Sequence, residues 1–244
     1  MRRESGTTLI EVLIAVTLLS LLSVGMLTAM RVGFMAFSKT NNKLMENRRV
    51  AGAQRVVQEQ LEGMMPVVAA CGEAPGATPA KTAFFEGQPQ TMRLVSSFSL
   101  QQGWRGQPQI LELFVIPGEN GRGVRLVVNE IPYTGPAGTA RLCTGRTRDP
   151  LSGGTLAVFA PVEAGPNSFV LADKLAYCRF SYFTIPLDRN LPPHWTQQWT
   201  SSGWPFALRI EMAPLDPDPS RLQPITVTAP IHLHRAPEIQ YVDY

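Results

Sequence analysis

Apolar and polar positions divide the chain into three stretches. The first is uncharged for nineteen residues, from Val12 to Met30, and is apolar on every side of a helical projection. At about 1.5 Å per residue, such a helix matches the roughly 30 Å hydrocarbon core of a bilayer. The helical pattern then changes character without stopping. The first proline is Pro66, and Val50, Ala53, Val57, Leu61 and Met64 recur at three- and four-residue steps. Arg55, Glu59 and Glu62 lie on another face of the same projection. One helix over residues 7–65 is predicted, embedded in a membrane over 7–30. Its rear half carries an apolar stripe that needs a sheet to cover it.

The second stretch, Pro66 to about Gln90, is rich in Pro, Gly, Ala and Thr and reads as an irregular connection. From about Thr91 the period becomes two. Gln109–Ile116 and Val124–Val128 flank Pro117-Gly118-Glu119-Asn120-Gly121, whose Asn-Gly step signals a hairpin. Lys174–Phe183, Ala207–Met212 and Ile225–Thr228 read as further strands. A long helix followed by antiparallel strands makes an α+β fold, with a β-rich domain over 66–244.

Composition narrows the function. The net charge of +3 implies no polyelectrolyte partner, and a basic β surface for nucleic acid is not expected. Arg2 and Arg3 precede the apolar run, whereas Arg31, Lys39, Lys43, Arg48 and Arg49 follow it, so charge asymmetry leaves the topology open. Cys71, Cys143 and Cys178 include no C-x-x-C pair. They are either all reduced or, in an exported protein, form one disulfide by any of three pairings.

His232-x-His234 supplies at most half of a zinc site, and Asp216-Pro217-Asp218-Pro219 lacks the ligands of a calcium loop. Gly118–Gly123 lacks the Lys-Ser/Thr of a phosphate loop. Trp195, Trp199 and Trp204 read as packing residues. Neither Gly-x-Ser-x-Gly nor His-Glu-x-x-His occurs, and no catalytic residue, cofactor or metal is expected.

Glu11 remains to be explained. A carboxylate beside an apolar run costs roughly 2.5–3.5 kcal/mol at the bilayer centre, so something should compensate it. The segment MRRESG-TTLIEVLIA is similar to the prepilin-type cleavage and methylation motif of type IV pilins and type II secretion pseudopilins. The resemblance implies cleavage after Gly6 by a prepilin peptidase, a leader over 1–6, and N-methylation of Thr7 as the new first residue. Phe is usual at that position, so Thr7 departs from the family pattern. The new amine would lie at i, i+4 spacing from Glu11, or meet the Glu11 of a neighbouring subunit in a filament. Either pairing would be strong in a low-dielectric helix bundle. The same resemblance implies a pilin-like fold, an inner-membrane anchor and a periplasmic C-terminal domain.

The length exceeds that of major pseudopilins. Leu175–Phe183, then Trp195 and Trp199, then Trp204-Pro205-Phe206-Ala207-Leu208-Arg209 look like the J-class minor pseudopilin of type II secretion. That class implies I- and K-class minor pseudopilins and the major pseudopilin as partners. The alternative is a W-class minor pilin of a type IV pilus. An anchored envelope enzyme and a DNA-binding competence pseudopilin are the other classes considered.

A mature chain that starts at Thr7 and carries one added methyl group is expected in N-terminal peptide mass analysis. Gly6→Val should leave the leader attached. A mature start after Ala29 would identify an ordinary signal peptide.

Overall fold

The computed structural model describes residues 8–71, 80–100, 104–149, 153–186, 190–215 and 224–232. Two compact units divide at Arg49/Val50. Helix α1 spans Leu9–Glu62 and enters both. Strands follow in the order β1 Met64–Met65, β2 Val68–Cys71, β3 Ala80–Ala83, β4 Glu86–Gly87, β5 Thr91–Ser99, β6 Trp104–Pro117 and β7 Val124–Pro132. After a short helical turn at Pro136–Thr139 come β8 Cys143–Arg148, β9 Thr155–Phe159, β10 Phe169–Thr184, β11 His194–Thr196, β12 Ala207–Pro214 and β13 Ile225–Pro230.

One nine-stranded antiparallel sheet runs β1-β5-β6-β7-β10-β12-β13, with β4 added beside β5 and β11 beside β10. The long N-terminal helix and this large sheet are the α+β, pilin-like arrangement expected from the sequence. Within the second unit, the rear of α1 supplies Val57 and Leu61, and Met64 follows it, to one buried cluster with Leu94, Leu111, Leu113, Leu126, Val128, Phe180, Leu208 and Ile210. Each large side chain so buried contributes about 1.5–3 kcal/mol. The helix ends where it meets the sheet: Ser97 N–H donates to the Gly63 carbonyl at 2.8 Å. A Cβ on Gly63 would stand 2.7 Å from Ser96 Oγ, so glycine allows this close approach.

Successive strand residues point to opposite faces. Val95 and Ile110, next in sequence to Leu94 and Leu111, therefore enter a second cluster with Val67, Ala69, Cys71, Phe84 and Phe159. The covering elements are the β2–β3 and β8–β9 hairpins. A Cys71–Cys143 disulfide ties one hairpin to the other across a sequence separation of 72, and Cys178 is free and buried. Burial in apolar surroundings pushes the Cys178 thiol up to about 12.

Two expectations change. The stretch 66–90 holds β2, β3 and β4 rather than a wholly irregular connection, because burial under the sheet stabilises strands that its composition does not favour. The helix ends at Glu62, and Met64–Met65 already pairs with Ser96 and Val95. The predicted hairpin joins β6 to β7 through Asn120 and Gly121, with φ of 56° and 70°.

In β10 the register shifts between Ala172 and Leu175, where Lys174 has φ of 54°. The bulge lets the first half of β10 pair with β7 and the second with β12. Arg125 fixes the bulge from β7 by holding Asp173 at 2.8 Å. Its hydrogen bonds keep the Asp173 carboxyl below the ordinary carboxylate range.

Replacing both Cys71 and Cys143 by Ala should lower the stability of the full-length chain by about 2–5 kcal/mol, as removal of a native disulfide typically does. Chemical unfolding in detergent would measure the loss.

Candidate functional site

The candidate site begins at the entrance to α1. Gly6 and Thr7 lie outside the described residues. Glu11 sits in the first helical turn, where its N–H donates to the Thr8 carbonyl at 3.0 Å. The side chain is exposed, and no cation lies within salt-bridge distance of it among the described residues. Acidic side chains are favoured at a helix N-terminus, where free N–H groups present partial positive charge.

From Leu9 to Asn41 the helix is apolar enough to cross a membrane, and none of that stretch is buried among the described residues. The hydroxyls of its uncharged part are satisfied locally. Thr17 Oγ1 donates to the Ile14 carbonyl at 2.8 Å, Ser23 Oγ to Leu19 at 2.8 Å, and Thr28 Oγ1 to Gly25 at 2.8 Å. Polar atoms paired in this way can enter hydrocarbon without an orphaned donor. Glu11 is thus the lone formal charge between Leu9 and Met30.

The sheet carries a buried polar row that the sequence reading missed. Glu86, Arg93, Glu112 and Asn129 stand directly opposite one another across β4, β5, β6 and β7. Arg93 is 1% exposed, and its guanidinium meets Glu86 at 2.5 Å, Glu112 at 2.9 Å and the Ala160 carbonyl at 2.9 Å. The Phe159 ring lies beneath it, 4.9 Å from centroid to guanidinium. Asn129 Nδ2 donates to Glu112 at 2.9 Å and Ser168 Oγ donates to Asn129 Oδ1, so the row is hydrogen-bonded throughout. Arg93 in the strand Met92-Arg93-Leu94-Val95 was the available signal: a cation inside an apolar run needs a buried partner. Burial raises the Glu86 carboxyl, although Arg93 pulls it down.

The three tryptophans separate. Trp204 is buried in the first core, and Trp199 packs edge-on against Phe85 with ring centroids 6.3 Å apart. Trp195 instead lies half-buried between Phe183 and Arg209. His232 is exposed, whereas His234 and the Asp216–Pro219 segment lie outside the described residues. No cluster of three or more metal-ligating side chains occurs among the described residues.

The prokaryotic N-terminal methylation motif matches residues 1–27. It supports the type IV pilin and pseudopilin superfamily, whose members are structural rather than catalytic. Together with the apolar helix Leu9–Asn41 that it overlaps, the motif points to anchoring in a membrane by one N-terminal segment. Neither a curated protein nor a solved structure matches the chain.

Arg93→Met should strand two carboxylates and cost about 3–5 kcal/mol, as breaking a buried ion pair does. Acidification should return part of that loss in the variant by neutralising Glu86, whose carboxyl is already raised by burial. In the native protein a raised Glu86 pKa means that the fold binds the proton more tightly. Its contribution is present below the ordinary carboxylate range and lost as pH rises through the raised value. Thermal unfolding of both chains across the acidic range would measure this.

Proposed function

We propose that the chain is a minor pseudopilin of the J class, which joins the tip of a type II secretion pseudopilus and supports protein export. The observation that carries the reading is the methylation motif over residues 1–27, which runs into an apolar helix that no other described residue buries. Prepilin peptidase would cut after Gly6 and methylate Thr7, and Glu11 would serve in docking to the neighbouring subunit. The I- and K-class minor pseudopilins and the major pseudopilin would be its partners, with the inner membrane as its anchor. The β domain would stand in the periplasm. The Cys71–Cys143 disulfide supports an oxidising compartment for it. The order of β10, the tryptophan-bearing linker and β12 agrees with the sequence pattern that favours J over the W-class pilus alternative.

The role given to Glu11 is to pair with an α-amine inside a bundle of apolar helices. Glu11→Gln keeps the shape of the side chain and removes its charge. Membrane insertion and leader cleavage should persist, since neither requires that charge. Association with the I-class partner should weaken, because an amine in the bundle then lacks its counter-ion. Co-purification of the full-length variant from membranes, alongside a secretion assay, reads this out. Unchanged association and secretion would show that contacts among the β domains carry assembly.

A further inference from the structure

Among the described residues, the nine-stranded sheet is covered unevenly on the face opposite the first core. Over β5 and β6 the two hairpins close it with the second core. Over β10, β12 and β13 that face presents Tyr177, Arg179, Ser181 and Phe183, opposite Glu211 and Arg209, then Thr226 and Thr228. Arg179, Thr226 and Thr228 are exposed, and Tyr177, Phe183, Arg209 and Glu211 are half-buried.

Trp195 pairs with Phe183 from β11, and the two rings are 5.2 Å apart. The Arg209 guanidinium lies 3.8 Å above the Trp195 ring, and that of Arg179 lies 5.2 Å from Tyr177. Ser181, directly opposite Arg209, is 7% exposed within this surface.

The two arginines differ from others in the fold. Arg55, Arg93 and Arg125 each hold a carboxylate, whereas Arg179 and Arg209 form no salt bridge among the described residues. Arg209 Nε is buried with no hydrogen-bond partner. Glu211 stands across from Arg179, so among the described residues two guanidinium groups face one carboxylate and the patch keeps an excess positive charge. An arginine laid flat on tryptophan keeps its donor edge free for bidentate binding of a carboxylate. Tryptophan, tyrosine and arginine are also the residues that dominate binding at protein interfaces.

We infer that this face docks a neighbouring protein subunit that presents an acidic side chain to Arg209 and apolar groups to Trp195 and Phe183. The observation carrying the inference is an aromatic-stacked guanidinium without a carboxylate of its own among the described residues, on a part of the sheet that no other described element covers. The identity of the neighbour as another pilin-type subunit rests on the function proposed above.

The test places a photo-cross-linking amino acid at Thr228, which is exposed and directly opposite Arg209. The full-length chain is expressed in its native cells, and exposed Thr144 on β8 serves as the control position. The expected product joins Thr228 to a separate protein chain at a peptide containing Asp or Glu. Arg209→Met keeps an unbranched side chain over Trp195 and removes the charge; it should cut the yield about tenfold. Trp195→Ala should do the same, with the amount of folded membrane-bound protein unchanged for Arg209→Met. Arg209→Glu should lose the product, and reversing the partner's acidic residue to Lys should restore it.

A product no stronger than at Thr144, a cross-link only within this chain or to lipid, or a yield unchanged by Arg209→Met would overturn the inference. A charge-reversible product with a protein lacking a prepilin motif would uphold the docking face and count against the proposed function.

Discussion

The protein is organised around an apolar helical surface that no other described residue covers. Leu9–Asn41 exposes Leu13, Leu18, Leu21, Leu22 and Phe34 along its length, each more than half accessible. The hydrophobic effect does not permit that surface to remain in water. It requires lipid, or the equivalent helices of neighbouring subunits. The uncharged run and the internally bonded hydroxyls of Thr17, Ser23 and Thr28 follow from that requirement. Against this background Glu11 is costly in the membrane, and the proposed leader cleavage would make an amine to compensate it.

Beyond Val50 the same helix is governed by the sheet. Its apolar stripe shares a core with β5, β6, β7, β10 and β12, while the opposite face is closed over β5 and β6 by two disulfide-linked hairpins. The charged row from Glu86 to Asn129 crosses beneath those hairpins, and Arg93 ties the segment after β9 to the sheet through Ala160. A half-satisfied row would be worse than an apolar one, so its complete pairing fixes one docking position for the hairpin. The half of that face with Trp195 and Arg209, which no other described element covers, is the surface proposed to dock a neighbour.

Much of this was legible in the sequence. The Leu61 stripe, the Asn120-Gly121 hairpin and the strand around Phe180 each follow a local period or a local turn requirement. Gly6, Thr7 and Glu11 were legible as a motif, although only Glu11 falls among the described residues. What escaped depended on tertiary partners. Val68–Cys71 and Ala80–Ala83 become strands by burial on the sheet, which Pro- and Ala-rich composition does not announce. Pairing of Cys71 with Cys143 needs the two hairpins side by side. Trp195 differs from Trp199 and Trp204 only in which face of the sheet it meets, and spacing does not encode that.

The central proposal is that the N-terminal helix, which the motif marks as a membrane anchor, sits in the inner membrane and holds an oxidised β domain outside the cytoplasm. Protease accessibility in intact cells and in spheroplasts tests it most directly, with the state of Cys71 and Cys143 read from the same samples. The account predicts that the β domain is protected in intact cells, becomes digestible once the outer envelope is opened, and carries the Cys71–Cys143 disulfide. Protection that persists until the inner membrane is lysed, with both thiols reduced, would contradict it.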